Sequence, residues 1–191
     1  KPEMEEKVEA FVKNGGTVIV TYRHAVKDAD NNVPFGETLP VHYNALAGLT
    51  VEETESLQDY DAFPVVGSGV FEGVEGTGGI FRDMIKVQDA EVLFRYADAF
   101  YQEFAAVTRK QTGKGTLYYV GCGLEEKITK LLMEQVMRDC HFQMVPSEEG
   151  LEIVTRGNEK QKVTMYINHN AKEVTYGDMA LAPFACKISE A

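Results

Sequence analysis

Cys122 is the residue of this chain that sequence places best for nucleophilic chemistry. The apolar run Tyr118-Tyr119-Val120 leads into Gly121-Cys122-Gly123, and a helical pattern follows at once. A thiol at such a strand-to-helix turn meets helix N-terminal amides, which stabilise the reactive thiolate. The spacing argues the other way. A nucleophile elbow reads G-x-nucleophile-x-G, whereas here glycines flank the cysteine directly, and neither His141 nor His169 has the local context of a paired base. A small buried thiol is the reading that fits.

Other residue groups invite chemistry and have plainer readings. The acid pairs Glu52-Glu53, Glu125-Glu126 and Glu148-Glu149 could supply carboxylates, but adjacent acids on a helix start or a linker are solvated faces. A retaining glycosidase needs two carboxyl groups roughly 5 Å apart across a cleft, held on rigid elements. Residues 73–79, GVEGTGG, suggest a phosphate cradle but lack the spacing of either nucleotide motif and the Lys-Ser/Thr that would follow; they read as a turn, and no cofactor is expected. Arg23, His24 and Lys27 follow an apolar strand at its C-terminal end, where open α/β sheets bind ligands. Asp28, Asp30 and Glu37 make that stretch a hydrated loop. Residues 23–40 are nonetheless too long for an ordinary connection, and long ordered loops in compact domains have a role. Arg23, His24, Lys27, Asp28 and Phe35 are therefore the candidate interface loop.

Bulk properties narrow the class. In 191 residues, 44% apolar content is enough for a core, and 30 acidic against 19 basic residues give a formal charge of −11. That charge repels phosphate backbones and anionic lipid, so neither nucleic acid nor membrane is an expected partner. Three widely spaced cysteines, Cys122, Cys140 and Cys186, form no disulfide framework or zinc pattern, which fits a reducing cytoplasm.

The elements that must position these residues read as follows. Met4, Val8, Phe11 and Val12 predict a helix over residues 1–14 with one buried stripe, stopped by Asn14-Gly15-Gly16. TVIVTY at 17–22 then reads as a strand buried on both faces. A helix feeding such a strand is half of a β-α-β unit, so an earlier strand is expected ahead of Lys1. A short helix is predicted over 41–47, closed by Gly48. Irregular strand and turn follow over 61–79, then strands over 82–87, 92–96, 105–110 and 116–120, the last two joined by Gly113-Lys114-Gly115. Leu124, Ile128, Leu131, Leu132 and Val136 predict a helix over 124–140 packed on that sheet. Beyond the PSEEG interruption at 146–150, LEIVTR, KVTMYIN, KEVTY and FACKI predict a small antiparallel β domain.

Residues 90–121, with the order VL, YAD, FY, AVTR, GKG and YYVG, resemble the middle domain of glycoside hydrolase family 42 β-galactosidases. The Asn168-His169 turn and the LAPF segment at 181–184 resemble the family's C-terminal β domain. The family's DFYxGxPA motif appears at 98–105 with its glycine and proline replaced. The resemblance implies an incomplete flavodoxin-like, class I glutamine amidotransferase-like three-layer α/β domain over 1–145, lacking its first β-α elements. A small antiparallel all-β domain follows over 146–191. It also implies that the catalytic glutamates lie in a barrel of roughly 250 residues outside this chain. No catalytic residue is then expected here, and the work is assembly of a homotrimer whose parent hydrolyses terminal β-D-galactosides with retention. The implied partners are the parent's own N-terminal barrel, sister subunits and the parent's galactoside. Two other classes stay open: a Cys122-dependent amidotransferase-like enzyme, and a carbohydrate-binding module using exposed aromatics of the C-terminal β domain.

Overall fold

The helical stripe and glycine stop near the N-terminus produce α1, Pro2–Lys13. In this computed structural model, which describes residues 2–58, 61–145, 147–158 and 161–190, α1 is closed by Asn14 N donating to Ala10 O at 3.1 Å and Gly16 N to Phe11 O at 2.9 Å. Of the expected stripe, Val12 is buried and Val8 partly so, while Met4 and Phe11 are 58% and 57% exposed. Phe11 instead lies over Gly16, where any side chain would collide with its ring.

Strand β1, Thr17–Thr21, follows and pairs in parallel with β7, Gly115–Val120, from Thr17 opposite Thr116 to Thr21 opposite Val120. It is not buried on both faces as its composition suggests. It lies at the end of the strand order, with Val20 buried but Ile19 exposed. The other members are β2 (Leu49–Ser56), β3 (Ala62–Gly67), β4 (Glu75–Val87), β5 (Glu91–Tyr96), β6 (Ala105–Thr112) and β8 (Cys122–Leu124). They form one eight-stranded sheet in the order β1-β7-β6-β5-β3-β4-β2, with β8 on β4. Among the described residues every pairing except β1–β7 is antiparallel, so the fold is mostly β-sheet with few helices, and one described pair has the parallel form expected of a doubly wound domain. Ile85 opposite Ala105 pairs β4 back to β6, which joins β3, β4, β5 and β6 into a closed circuit of strands.

The β6–β7 hairpin forms where Gly-Lys-Gly predicts it. Gly113 adopts φ +63, and a Cβ at Gly115 would strike the carbonyls of Val12 and Gly16, so the turn must be bare for α1 to end beside it. The glycines at 76, 78 and 79 belong to β4 rather than to a turn. A side chain at Gly76 would strike Ile128 and one at Gly78 would meet Phe63, so these glycines admit close neighbours inside a strand. Helix α2, Asn44–Ala47, is shorter than its pattern, and Gly48 closes it at φ +67 with its N–H on Asn44 O. Helix α3, Glu126–Asp139, buries Ile128, Leu132 and Val136 and lies over Gly76 on the predicted sheet. Leu124 stays in β8 because Glu125 is held to β4: its amide donates to Thr77 O and its carboxylate accepts the Thr77 hydroxyl at 2.6 Å. One group of buried residues gathers Val12, Val20, Tyr43, Leu46, Leu49, Ile85, Leu117 and Tyr119.

The chain packs as two compact units, Lys1–Val136 and Met137–Ala191. In the second, β9 (Leu151–Gly157), β10 (Lys162–Asn168) and β13 (Cys186–Glu190) form an antiparallel sheet in the order β13-β10-β9, and β11 (Val174–Tyr176) pairs β12 (Met179–Leu181). Leu151, Val174 and Leu181 make its core. Buried Asn168 ties the turn region together: its Nδ2 donates to Lys172 O, Leu181 O and Ala182 O, and its Oδ1 accepts the Asn170 amide. Pro146, read as part of the interruption between the domains, lies outside the described residues.

Candidate functional site

Two groups of polar residues meet beyond the C-terminal end of β1. The first is interior and centres on Asp83 of β4, which has no exposed surface. Its Oδ2 accepts the Tyr119 hydroxyl at 2.8 Å and the Arg23 amide at 3.2 Å, and its Oδ1 accepts the Thr54 hydroxyl at 2.7 Å. Tyr96 donates its hydroxyl to the Asp83 carbonyl at 3.0 Å and lies 3.3 Å from Gly121 O. Burial, reinforced by the Asp83 charge, pushes the Tyr96 and Tyr119 phenols well above their ordinary value. They are donors here and do not ionise. A charge among satisfied donors on three strands is a structural tie.

Arg82, on the opposite side of the same strand, is 4% exposed. Its guanidinium lies between the Tyr101 ring, 3.7 Å away, and the Phe63 ring, 4.1 Å away, with Asp98 at 3.1 Å and Glu55 at 3.6 Å. Neither Nε nor Nη1 reaches good hydrogen-bond alignment, so charge and ring faces hold it. Asp98 and Tyr101 belong to the turn carrying the altered DFYxGxPA motif. Arg82 fixes that turn where glycine and proline are missing, and Phe100 points outward, 75% exposed.

Cys122 is 1% exposed and lies in β8, paired with Arg82, not at a helix N-terminus. Burial pushes its thiol up to about 12, opposed by the Tyr96 hydrogen bond and Arg82. A nucleophilic thiol needs the opposite shift and an open approach, so the catalytic reading of Cys122 is not supported by its surroundings.

The second group is the loop leaving β1. Arg23 and Ala25 both adopt positive φ, +60 and +52, with the Arg23 amide tied to Asp83 and the Ala25 carbonyl accepting Val41 N. His24 packs edge-on against Tyr43 with ring centroids 4.4 Å apart. Its Nε2 is buried without a hydrogen bond, and burial lowers its pKa, with Glu5 acting the other way. Lys27 donates to Asn31 Oδ1, and Asp28 Oδ1 accepts the amides of Asp30 and Asn32. This small cage carries the chain to Val33 and Phe35, which are 68% and 105% exposed. Beside it, Arg23, Val26, Leu39, Thr54 and Phe81 line a hollow of about 410 Å³, and the Arg23 guanidinium lies 5.0 Å from the Phe81 ring centroid. The structure thus brings Arg23 and Lys27 to one hollow, turns His24 inward and leaves Phe35 outside.

Sequence reasoning passed over Arg82 and Asp83. Their signal was available: two opposite charges inside the apolar strand run Ile80-Phe81-Arg82-Asp83-Met84-Ile85. Of the acid pairs, Glu52 meets Lys86 at 2.8 Å and Glu125 holds Thr77, which are structural engagements. Phe94, Tyr96, Phe104, Tyr118 and Tyr119 are buried in the core, whereas Phe100 is exposed. Among the described residues no helix is long and apolar enough to cross a membrane.

The family model for the beta-galactosidase trimerisation domain matches residues 1–143. Beta-galactosidase Pbg of Clostridium perfringens is 28% identical over 181 residues, covering 92% of this chain and 26% of its own length. BgaB of Geobacillus sp. is 29% identical over 173 residues, covering 90% of this chain and 25% of its own. The chain therefore spans about a quarter of these curated relatives. Among solved structures, a beta-galactosidase from Bacillus circulans sp. alkalophilus superposes with a TM-score of 0.88 at 23% identity, over 99% of this chain and 31% of that one. That from Rahnella sp. R3 gives 0.89 at 22%, over 98% and 30%. At such identities the structures show a shared fold, and the family match shows descent: the chain belongs to the beta-galactosidase trimerisation domain family of glycoside hydrolase family 42.

Proposed function

We propose that this chain serves the assembly of a beta-galactosidase and breaks no bonds itself. The observation that carries this is the trimerisation-domain match across residues 1–143. The geometry agrees with it: polar residues that could do chemistry are engaged internally, while the loop after β1 leaves a fully exposed aromatic on an ordered frame. In this reading the parent is a homotrimer that hydrolyses terminal β-D-galactosides with retention, using glutamates of an N-terminal barrel that these residues help to enclose. The loop of Arg23, His24, Lys27, Asp28 and Phe35 contributes to contacts between subunits. The parallel β1–β7 pair with α1 belongs to an amidotransferase-like three-layer domain over 1–145, and 146–191 is a separate β domain. The parent acts in the cytoplasm, consistent with three free cysteines.

Sedimentation velocity of the 191-residue chain tests the reading. A species of three times the chain mass is expected, weakened by deletion of residues 28–35. A chain that stays monomeric at every concentration defeats assembly as its intrinsic property.

A further inference from the structure

We propose that Phe35 of one chain inserts into the hollow beside Arg23 on a second copy, a knob-and-hole contact that repeats around a closed ring. This rests on the assembly reading above and names the contact that carries it. Phe35 is fully exposed, yet its position is built: the Asp28 cage orders residues 28–32, Gly36 turns the chain at φ +77 and Asn44 Nδ2 holds the Thr38 carbonyl at 2.8 Å. A flexible polar tip would need none of this. An ordered, water-exposed phenyl ring carries a hydrophobic cost that burial against a partner removes.

The hollow offers what that ring needs. Val26, Val33, Leu39 and Phe81 supply apolar walls, and its volume of about 410 Å³ is unfilled by the chain's own Phe35, which remains outside. Charge supplies direction. The chain carries −11 overall, so copies repel unless cations meet acids at the contact. Arg23 and Lys27 line the hollow, and the Arg23 guanidinium contacts the Phe81 ring but no carboxylate among the described residues. Glu37 stands two residues beyond Phe35 and is exposed. A ring seated in the hollow thus brings the Glu37 of one copy towards the Arg23 of the next. Knob and hole are unlike patches on one loop, Phe35 lying outside the hollow that Val33 and Leu39 help to line; joined head-to-tail, such a contact closes into a ring when the rotation allows.

Sedimentation of the wild-type chain beside three variants decides it. Phe35→Ser is expected to raise the dissociation constant roughly thirtyfold or more, as for a central aromatic anchor. Arg23→Glu is expected to weaken association about tenfold, and adding Glu37→Arg to it should restore most of the loss. Each altered side chain is exposed, and circular dichroism checks that folding is unchanged. If the wild type associates and all variants match it, this contact is wrong while assembly stands. If Phe35→Ser dissociates the ring but Glu37→Arg gives no rescue, the hollow beside Arg23 is not the seat and the proposal fails. If the wild type never associates, the assembly reading fails and takes this contact with it.

Discussion

The Asp83 interior and the loop from Arg23 to Tyr43 share one atom, the Arg23 amide, and treat their side chains in opposite ways. Around Asp83, donors from two strands and from the loop after β1 converge on one buried carboxylate. On the loop, polar side chains bond mainly to their own turn, and among exposed polar neighbours the apolar Val33 and Phe35 also face outward. A residue type able to do chemistry acts only when it is reachable and poised, so Cys122 and Asp83 are structural. A function of surface contact is read from hydrophobic groups held out on an ordered frame.

The comparison breaks first if Asp83 is dispensable. Asp83→Ala leaves the Tyr119 and Thr54 hydroxyls and the Arg23 amide without their acceptor, at roughly 1–3 kcal/mol for each buried group that stays unsatisfied. With partial relaxation, a loss of about 3–5 kcal/mol is expected in urea unfolding. A variant as stable as the wild type would show that the cluster is not a tie. Thiol reactivity sharpens the same contrast. With its thiol pushed up to about 12 and enclosed, Cys122 should alkylate about a thousandfold more slowly than exposed Cys186 at mild alkaline pH, and only on unfolding. Mass mapping after a timed iodoacetamide pulse reads this, and prompt native labelling of Cys122 would reopen its catalytic reading.

His24 lies where the two regions join, and acid should report on it. Burial lowers its folded pKa below the ordinary 6.5, with Glu5 opposing, so as pH falls the unfolded chain takes up the proton first. Its contribution to stability is therefore full above pH 6.5, shrinks as pH falls through that value towards the lowered folded pKa, and stays lost below it. Urea midpoints at pH 7.5 and 5.5 should differ more for the wild type than for His24→Phe. Equal differences would remove His24 from the balance. The smallest effect belongs to the loop tip: Phe35→Ser should change the stability of the isolated fold by no more than about 0.5 kcal/mol. A larger loss would mean that the ring already packs within its own chain.

Local pattern alone determined much of this protein. The glycine stops after α1 and α2, the Gly113–Gly115 hairpin, the buried faces of α3 and the strands of the C-terminal unit follow from periodicity and turn chemistry over a few residues, which act before any distant contact forms. The family order in residues 90–121 was legible for the same reason. Tertiary structure decided what depends on distant neighbours. Met4 and Phe11 have helical spacing but no sheet surface to meet, and the 76–79 glycines admit Phe63 and Ile128 within a strand instead of turning the chain. Polar β2 is a strand because β4 runs beside it. Most of all, only packing could show that Arg82 and Asp83 are buried on opposite sides of β4, that Cys122 is sealed, and that Phe35 stands beside a hollow it does not fill. Burial is a property of which segments meet, and a chain of residue types carries that information only once it has folded.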